Sequence, residues 1–173
     1  MYYSEIKNCD IANGPGVRVT LFVSGCTHHC VGCFNEMTWD FHYGQLFDGA
    51  AEEQILAYLA PAYIAGLTLL GGEPLEYANW RELLPFIRTV KERYPGKNIW
   101  CYTGYRLEED LLEKFCVQWP DMNEFLSYID VLVDGEFILE RKDISLRFRG
   151  SDNQRIILLQ ESLRKGETVL WTG

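Results

Sequence analysis

Short runs of β-branched and aromatic residues recur along this chain, and glycine-containing turn chemistry closes most of them. Amphipathic stretches lie between several of these runs. Val17–Val23 runs into Ser24-Gly25, and Gly66–Leu70 into Gly71-Gly72-Glu73-Pro74. Asn98–Tyr102 ends at Thr103-Gly104 and Val131–Val133 at Asp134-Gly135, while Arg155–Leu159 reads as a fifth strand. Asn13-Gly14-Pro15-Gly16 supplies a turn before the first run. Helical spacing marks Glu52–Leu59 through Ile55, Leu56 and Leu59, and a second stretch through Trp80, Leu83, Leu84, Ile87 and Tyr94. Pro95-Gly96 stops that second helix, and Pro85 marks a kink or a late start. Leu107–Cys116 is a third helix, with Leu111, Leu112 and Phe115 inward.

Strands that alternate with helices pair in parallel, because each helix carries the chain back across the sheet. With so few such units the sheet is left open on one side. The expected fold is α/β: a partial, open (β/α) barrel of mostly parallel strands with outer helices, in one domain over 1–173. Chemistry on such sheets gathers at the carboxyl ends of the strands. Every unusual turn named above falls on that rim.

One of those turns carries Cys26, Cys30 and Cys33, a C-x-x-x-C-x-x-C spacing, while Cys9, Cys101 and Cys116 are scattered and read as small apolar residues. The chain has 173 residues with a net charge of −9. That charge argues against a general nucleic-acid binder, which needs a basic face for phosphates. No apolar run approaches the roughly 20 residues that span a bilayer, and no signal-peptide core opens the chain, so no membrane partner and a cytoplasmic location are expected. In that compartment thiols stay reduced, and clustered cysteines read as metal ligands rather than disulfides. Three thiolates holding a four-iron cluster leave one iron open to a small molecule. Zinc, completed by His28, His29 or His42, is the plainer alternative. At Gly71 to Pro74, two glycines let the backbone approach a ligand, and the Glu73 carboxylate can hold an ammonium or hydroxyl group. An ordinary turn is the bland reading of the same four residues.

Together the cysteine spacing and the Gly-Gly-Glu-Pro turn resemble the radical S-adenosylmethionine superfamily. Asn13–Arg18 (NGPGVR), Leu21–Cys26 (LFVSGC), Gly32–Asn35 with Thr38-Trp39, Val131–Phe137 (VLVDGEF) and Arg149–Arg155 (RGSDNQR) extend the likeness. They make the chain similar to the activases of glycyl radical enzymes, in particular activators of anaerobic ribonucleoside-triphosphate reductase. The resemblance implies that Cys26, Cys30 and Cys33 hold a [4Fe–4S] cluster whose open iron takes the methionine end of S-adenosylmethionine. Gly71, Gly72, Glu73 and Pro74 would then clamp the methionine amino group. Gly32 stands where relatives often have an aromatic residue, so Phe34 becomes the ring near adenine. Thr103 and Asp134 are carried over as ribose or amino-group contacts, although Asp134 equally suits a helix cap. Glu136 stands where pyruvate formate-lyase activators have a carboxylate-binding lysine, a substitution that would repel the cofactor carboxylate.

The implied chemistry is reductive cleavage of the S–C5′ bond, followed by hydrogen-atom removal from one backbone glycine of the reductase. The cofactor carries that chemistry, and no side chain is assigned as general acid or base. Residues 141–165 hold seven Lys or Arg against three acids, a cationic stretch that could dock the reductase or an electron donor such as flavodoxin. A mixed solvated surface is the alternative. Phe34, Trp39, Phe41, Tyr43 and Phe47 read as a partner face or a local core. Two rival functions stay open: a small radical enzyme acting on a metabolite such as a deazaguanine precursor, and a non-catalytic metal-binding module.

Overall fold

A computed structural model describes all 173 residues. Its centre is a seven-stranded sheet formed by β1 (Tyr2–Asp10), β2 (Val17–Val23), β3 (Gln45–Leu46), β4 (Ile64–Gly71), β5 (Asn98–Tyr102), β6 (Val131–Asp134) and β7 (Arg155–Leu158), in the order β3-β1-β2-β4-β5-β6-β7. β2, β4, β5 and β6 pair in parallel, as their alternation with helices requires. The outer pairs are antiparallel: β1 and β3 on one side, β7 on the other. β1 escaped the sequence reading because its polar, half-exposed residues lack alternation, and a bulge at Cys9 (φ 57°) interrupts it. Cys9 is exposed there, not packed as the scattered cysteines were expected to be; Cys101 is fully buried. β7 turns back antiparallel because residues 135–154 join it to β6 without a crossover helix, their one helical piece being the short turn Leu139–Arg141. The sheet is open, with β3 and β7 as unjoined edges.

The central strands are buried on both faces, hence their nearly continuous apolar sequences. One face carries Val19, Leu21, Val23, Leu67, Leu69, Ile99, Cys101, Leu132 and Ile157 into a cluster of 30 buried residues. Against it pack α1 (Gly49–Leu59), α2 (Tyr77–Arg93), α4 (Asp121–Ser127) and the start of α5 (Leu159–Lys165). The Asp48 side chain caps α1 by accepting from the Ala51 N–H at 3.0 Å. α2 continues past Pro85, which lies on its exposed side, where water can satisfy the carbonyl that proline leaves unbonded. The third expected helix is a π-helical segment, Leu107–Phe115, continuing into the short α3 (Cys116–Gln118). Its wider turn brings Leu107 and Leu111 inward and leaves Leu112 partly exposed, against the expectation for that residue.

The other face of the sheet carries Arg18, Thr20, Phe22, Thr68, Leu70, Trp100, Tyr102, Val131, Val133 and Ile156. Phe22 lies opposite Leu70 and Tyr102 opposite Val133. Arg18 is fully buried without a carboxylate partner; burial lowers its pKa to about 10. Its guanidinium donates to Thr68 Oγ1 (2.8 Å) and to the carbonyls of Leu67 and Pro15, and lies over the Trp100 ring. Thr68 in turn donates to the Asn13 carbonyl at 2.8 Å. The Asn13–Arg18 motif therefore folds back over this face of the sheet and brings Ala12 and Asn13 to a cavity wall. No helix is long and apolar enough to cross a membrane.

Candidate functional site

Between the second sheet face and the loops at the strands' carboxyl ends lies a cavity of about 460 Å³. Its volume falls within the range of small-molecule sites. Cys26, Cys30, Cys33, Phe34, Gly71, Gly72, Glu73 and Thr103 all line it, together with Phe22, Leu70, Tyr102 and Val133 from the strands. Residues far apart in the chain, from Phe22 to Val133, thus share one wall, because parallel strands present their ends on one side.

Backbone hydrogen bonds fasten the two principal motifs together. Gly72 N–H donates to the Val23 carbonyl (2.7 Å) and Glu73 N–H to the Gly25 carbonyl (2.8 Å). Gly72 must be glycine, since a Cβ there would lie 2.6 Å from the Gly25 oxygen and 2.9 Å from the Thr38 oxygen. Asn79, buried on α2, donates its amide to the carbonyls of Ser24 (3.0 Å) and Glu73 (2.9 Å). Glu76 accepts from both the N–H and the hydroxyl of Thr27.

The Glu73 carboxylate is buried, and each of its oxygens has two partners. Oε1 faces His28 Nε2 (2.7 Å) and the Gly104 N–H (2.7 Å), while Oε2 accepts from the Leu75 N–H (2.8 Å) and the Thr103 hydroxyl (2.9 Å). His28 Nδ1 lies 3.2 Å from Glu136 Oε1. Burial alone would lower the imidazole pKa, but the bonds and charges of Glu73 and Glu136 outweigh it and raise the value.

Cys26 and Cys30 are not set up as nucleophiles. Burial pushes Cys26 up to about 11, and burial with the Glu136 charge raises Cys30. A thiol held protonated suits neither nucleophilic nor disulfide chemistry, whereas a metal displaces that proton directly. No three His, Cys, Asp or Glu side chains converge closely enough for one ion. An all-cysteine donor set lining one cavity suits an iron–sulfur group, whose ligands are cysteine sulfurs. The histidines of the zinc alternative are engaged elsewhere: His28 between two carboxylates, His29 stacked on Trp39 at 4.2 Å, and His42 edge-on to Tyr2. Trp39 Nε1 borders this site as a buried donor without an acceptor, an atom that an added sulfide or carboxylate could satisfy.

The other expected site residues are placed differently. Phe34 is 68% exposed at the cavity mouth, 5.7 Å from the Phe137 ring and under Lys142. Gly32 packs near Leu139, and neither it nor Pro74 reaches the wall. Asp134 is buried away from the cavity; it accepts from the Leu107 N–H at 2.9 Å and pairs with Arg155, the capping role. Glu136 is turned outward toward His28. Of the five aromatics read as face or core, Phe47 joins the main core, Trp39 and Phe41 are half-buried, and Phe34 and Tyr43 are exposed. Asn79, Glu76 and the bridging role of His28 went unread, as did the wall positions of Arg149 and Gln154. Only the latter pair had a signal, lying within the Arg149–Arg155 stretch.

A model described as a 4Fe-4S single cluster domain matches residues 12–157. A protein of Haemophilus influenzae named anaerobic ribonucleoside-triphosphate reductase-activating protein is 49% identical over 158 residues, covering 90% of this chain and 97% of that protein. Proteins of the same name from phage T4 and Escherichia coli K12 are 42% and 44% identical, covering 90% and 89% of this chain and 93% and 96% of their own lengths. Agreement of this extent along nearly the whole sequence establishes that the chain belongs to the family of anaerobic ribonucleoside-triphosphate reductase-activating proteins, which is built on an iron–sulfur cluster domain.

Proposed function

We propose that this protein is a radical S-adenosylmethionine activase that installs the glycyl radical on an anaerobic ribonucleoside-triphosphate reductase. The observation that carries the reading is the shared cavity of Cys26, Cys30 and Cys33 with Gly71, Gly72 and Glu73. In this reading the three cysteines hold one [4Fe–4S] cluster, and the Gly71–Pro74 turn receives the amino group of S-adenosylmethionine. Bound there, cluster and cofactor would supply reductive cleavage of the S–C5′ bond and hydrogen-atom removal from the reductase glycine.

The chain's own contribution is to hold and shield. Gly72 lets the turn approach the cysteine loop closely, and Asn79 prevents the two from separating. Phe22, Leu70, Tyr102 and Val133 give the cavity an apolar floor that keeps water from a reactive carbon centre. The open mouth leaves room for a substrate backbone, which the single domain does not itself provide. Arg141, Lys142 and Arg147, exposed beside that mouth, suit an acidic partner surface, whether the reductase or a cytoplasmic donor such as flavodoxin.

The test is anaerobic incubation of reconstituted protein with reductant, S-adenosylmethionine and the reductase, followed by electron paramagnetic resonance. A glycyl doublet on the reductase is the expected result. Methionine release without a doublet would redirect the activity to a small metabolite, and a colourless protein without sulfide would leave only a binding module.

A further inference from the structure

We infer that His28 is a positioning residue, fastening the cysteine loop to Glu73 so that the cluster and the amino-group clamp are held at a fixed separation. The inference rests on the function proposed above and adds to it a residue that is neither ligand nor clamp. Four loops meet at this imidazole. His28 itself belongs to the loop after β2; Glu73 follows β4, Gly104 and Tyr105 follow β5, and Glu136 follows β6. Nε2 lies 2.7 Å from Glu73 Oε1 and Nδ1 lies 3.2 Å from Glu136 Oε1. The ring stands edge-on to Tyr105 at 4.5 Å, and a Cβ at Gly104 would come within 2.7 Å of it, so the ring has little room to turn.

Among the four partners of the Glu73 carboxylate, three come from its own turn or from Thr103 and Gly104. His28 alone reaches it from between Cys26 and Cys30. The backbone bonds that fasten the Gly-Gly-Glu-Pro turn stop at Val23 and Gly25, ahead of the first cysteine, and Glu76 takes only Thr27. Without the imidazole, the second and third cysteines would lose their polar tie to the clamp, and a buried carboxylate would lose its one side-chain partner capable of charge. A ligand that touches cluster and clamp at once binds tightly only if their separation is already set.

The experiment compares reconstituted wild-type protein with His28→Ala, His28→Gln and Glu136→Gln. Iron and sulfide are quantified, S-adenosylmethionine binding is measured by calorimetry, and the reduced cluster's paramagnetic spectrum is recorded with and without the ligand. All four proteins are expected to carry the same iron. His28→Ala should bind at least tenfold more weakly, about the loss of one buried hydrogen bond, and should lack the ligand-induced spectral change at the concentration saturating wild type. His28→Gln, which keeps a donor toward Glu73, should recover to within about threefold, and Glu136→Gln should lie equally close to wild type. Wild-type affinity in His28→Ala would overturn the inference while leaving the proposed function standing. Iron loss in both His28 variants would also overturn it, by making the imidazole a ligand or a folding element. A wild-type holoprotein that binds no S-adenosylmethionine would sink the function itself.

Discussion

Cys30 and Asn79 illustrate two kinds of dependence at the level of single residues. Cys30 lies outside the main apolar cluster, so its removal should cost the fold little. Cys30→Ala is expected to abolish the brown absorption and most bound iron while leaving the denaturation midpoint of the metal-free protein near wild type. Asn79 is the reverse. Its amide satisfies two buried carbonyls, and Asn79→Ala should destabilise by about 1–3 kcal/mol, with Asn79→Asp worse because a carboxylate would then face those oxygens. Urea denaturation of both variants measures the order. The cysteine cluster was legible because its three members lie close in the chain, so their spacing survives in the sequence. Asn79 was not, since its partners Ser24 and Glu73 are brought to it only by the assembled sheet. His28 was visible as a possible ligand, but the carboxylates that claim it lie 45 and 108 residues away.

Among the elements, the parallel strands were readable from their apolar runs and glycine ends, and Val17–Val23 and Asn98–Tyr102 match to the residue. The antiparallel margins and the π-helical segment were not, because each depends on partners rather than on local pattern. Arg155 on β7 shows what those partners do. It pairs with Asp134 on β6 and bidentately with Glu108 on the π-helical segment, at 3.1 and 2.7 Å. The Arg155 bond chiefly, against some burial, lowers Glu108 from an ordinary 4.5 to about 2. Since the folded value lies below the unfolded one, this carboxylate stabilises the fold above about pH 4.5 and loses that contribution as pH falls toward 2. Denaturant midpoints of metal-free protein at pH 6 and pH 3 should therefore differ less for Glu108→Gln than for wild type. Equal pH dependence in the two would contradict the assignment.

For the whole molecule, the open side of the sheet and the exposed Phe34, Met37, Ile138, Leu139 and Ile144 are the features a partner would meet. Adding the reductase should slow amide exchange over 34–39 and 137–149, and raised salt should weaken the complex because Arg141, Lys142 and Arg147 are solvent-facing. Unchanged exchange in both segments would place docking elsewhere.

The apolar cluster between sheet and helices closes without any of Cys26, Cys30 or Cys33. Small domains that need a metal to fold lack such a core; here the three thiols contribute nothing to it. Protein prepared without iron should therefore still unfold cooperatively, at a midpoint set by the sheet and its helices.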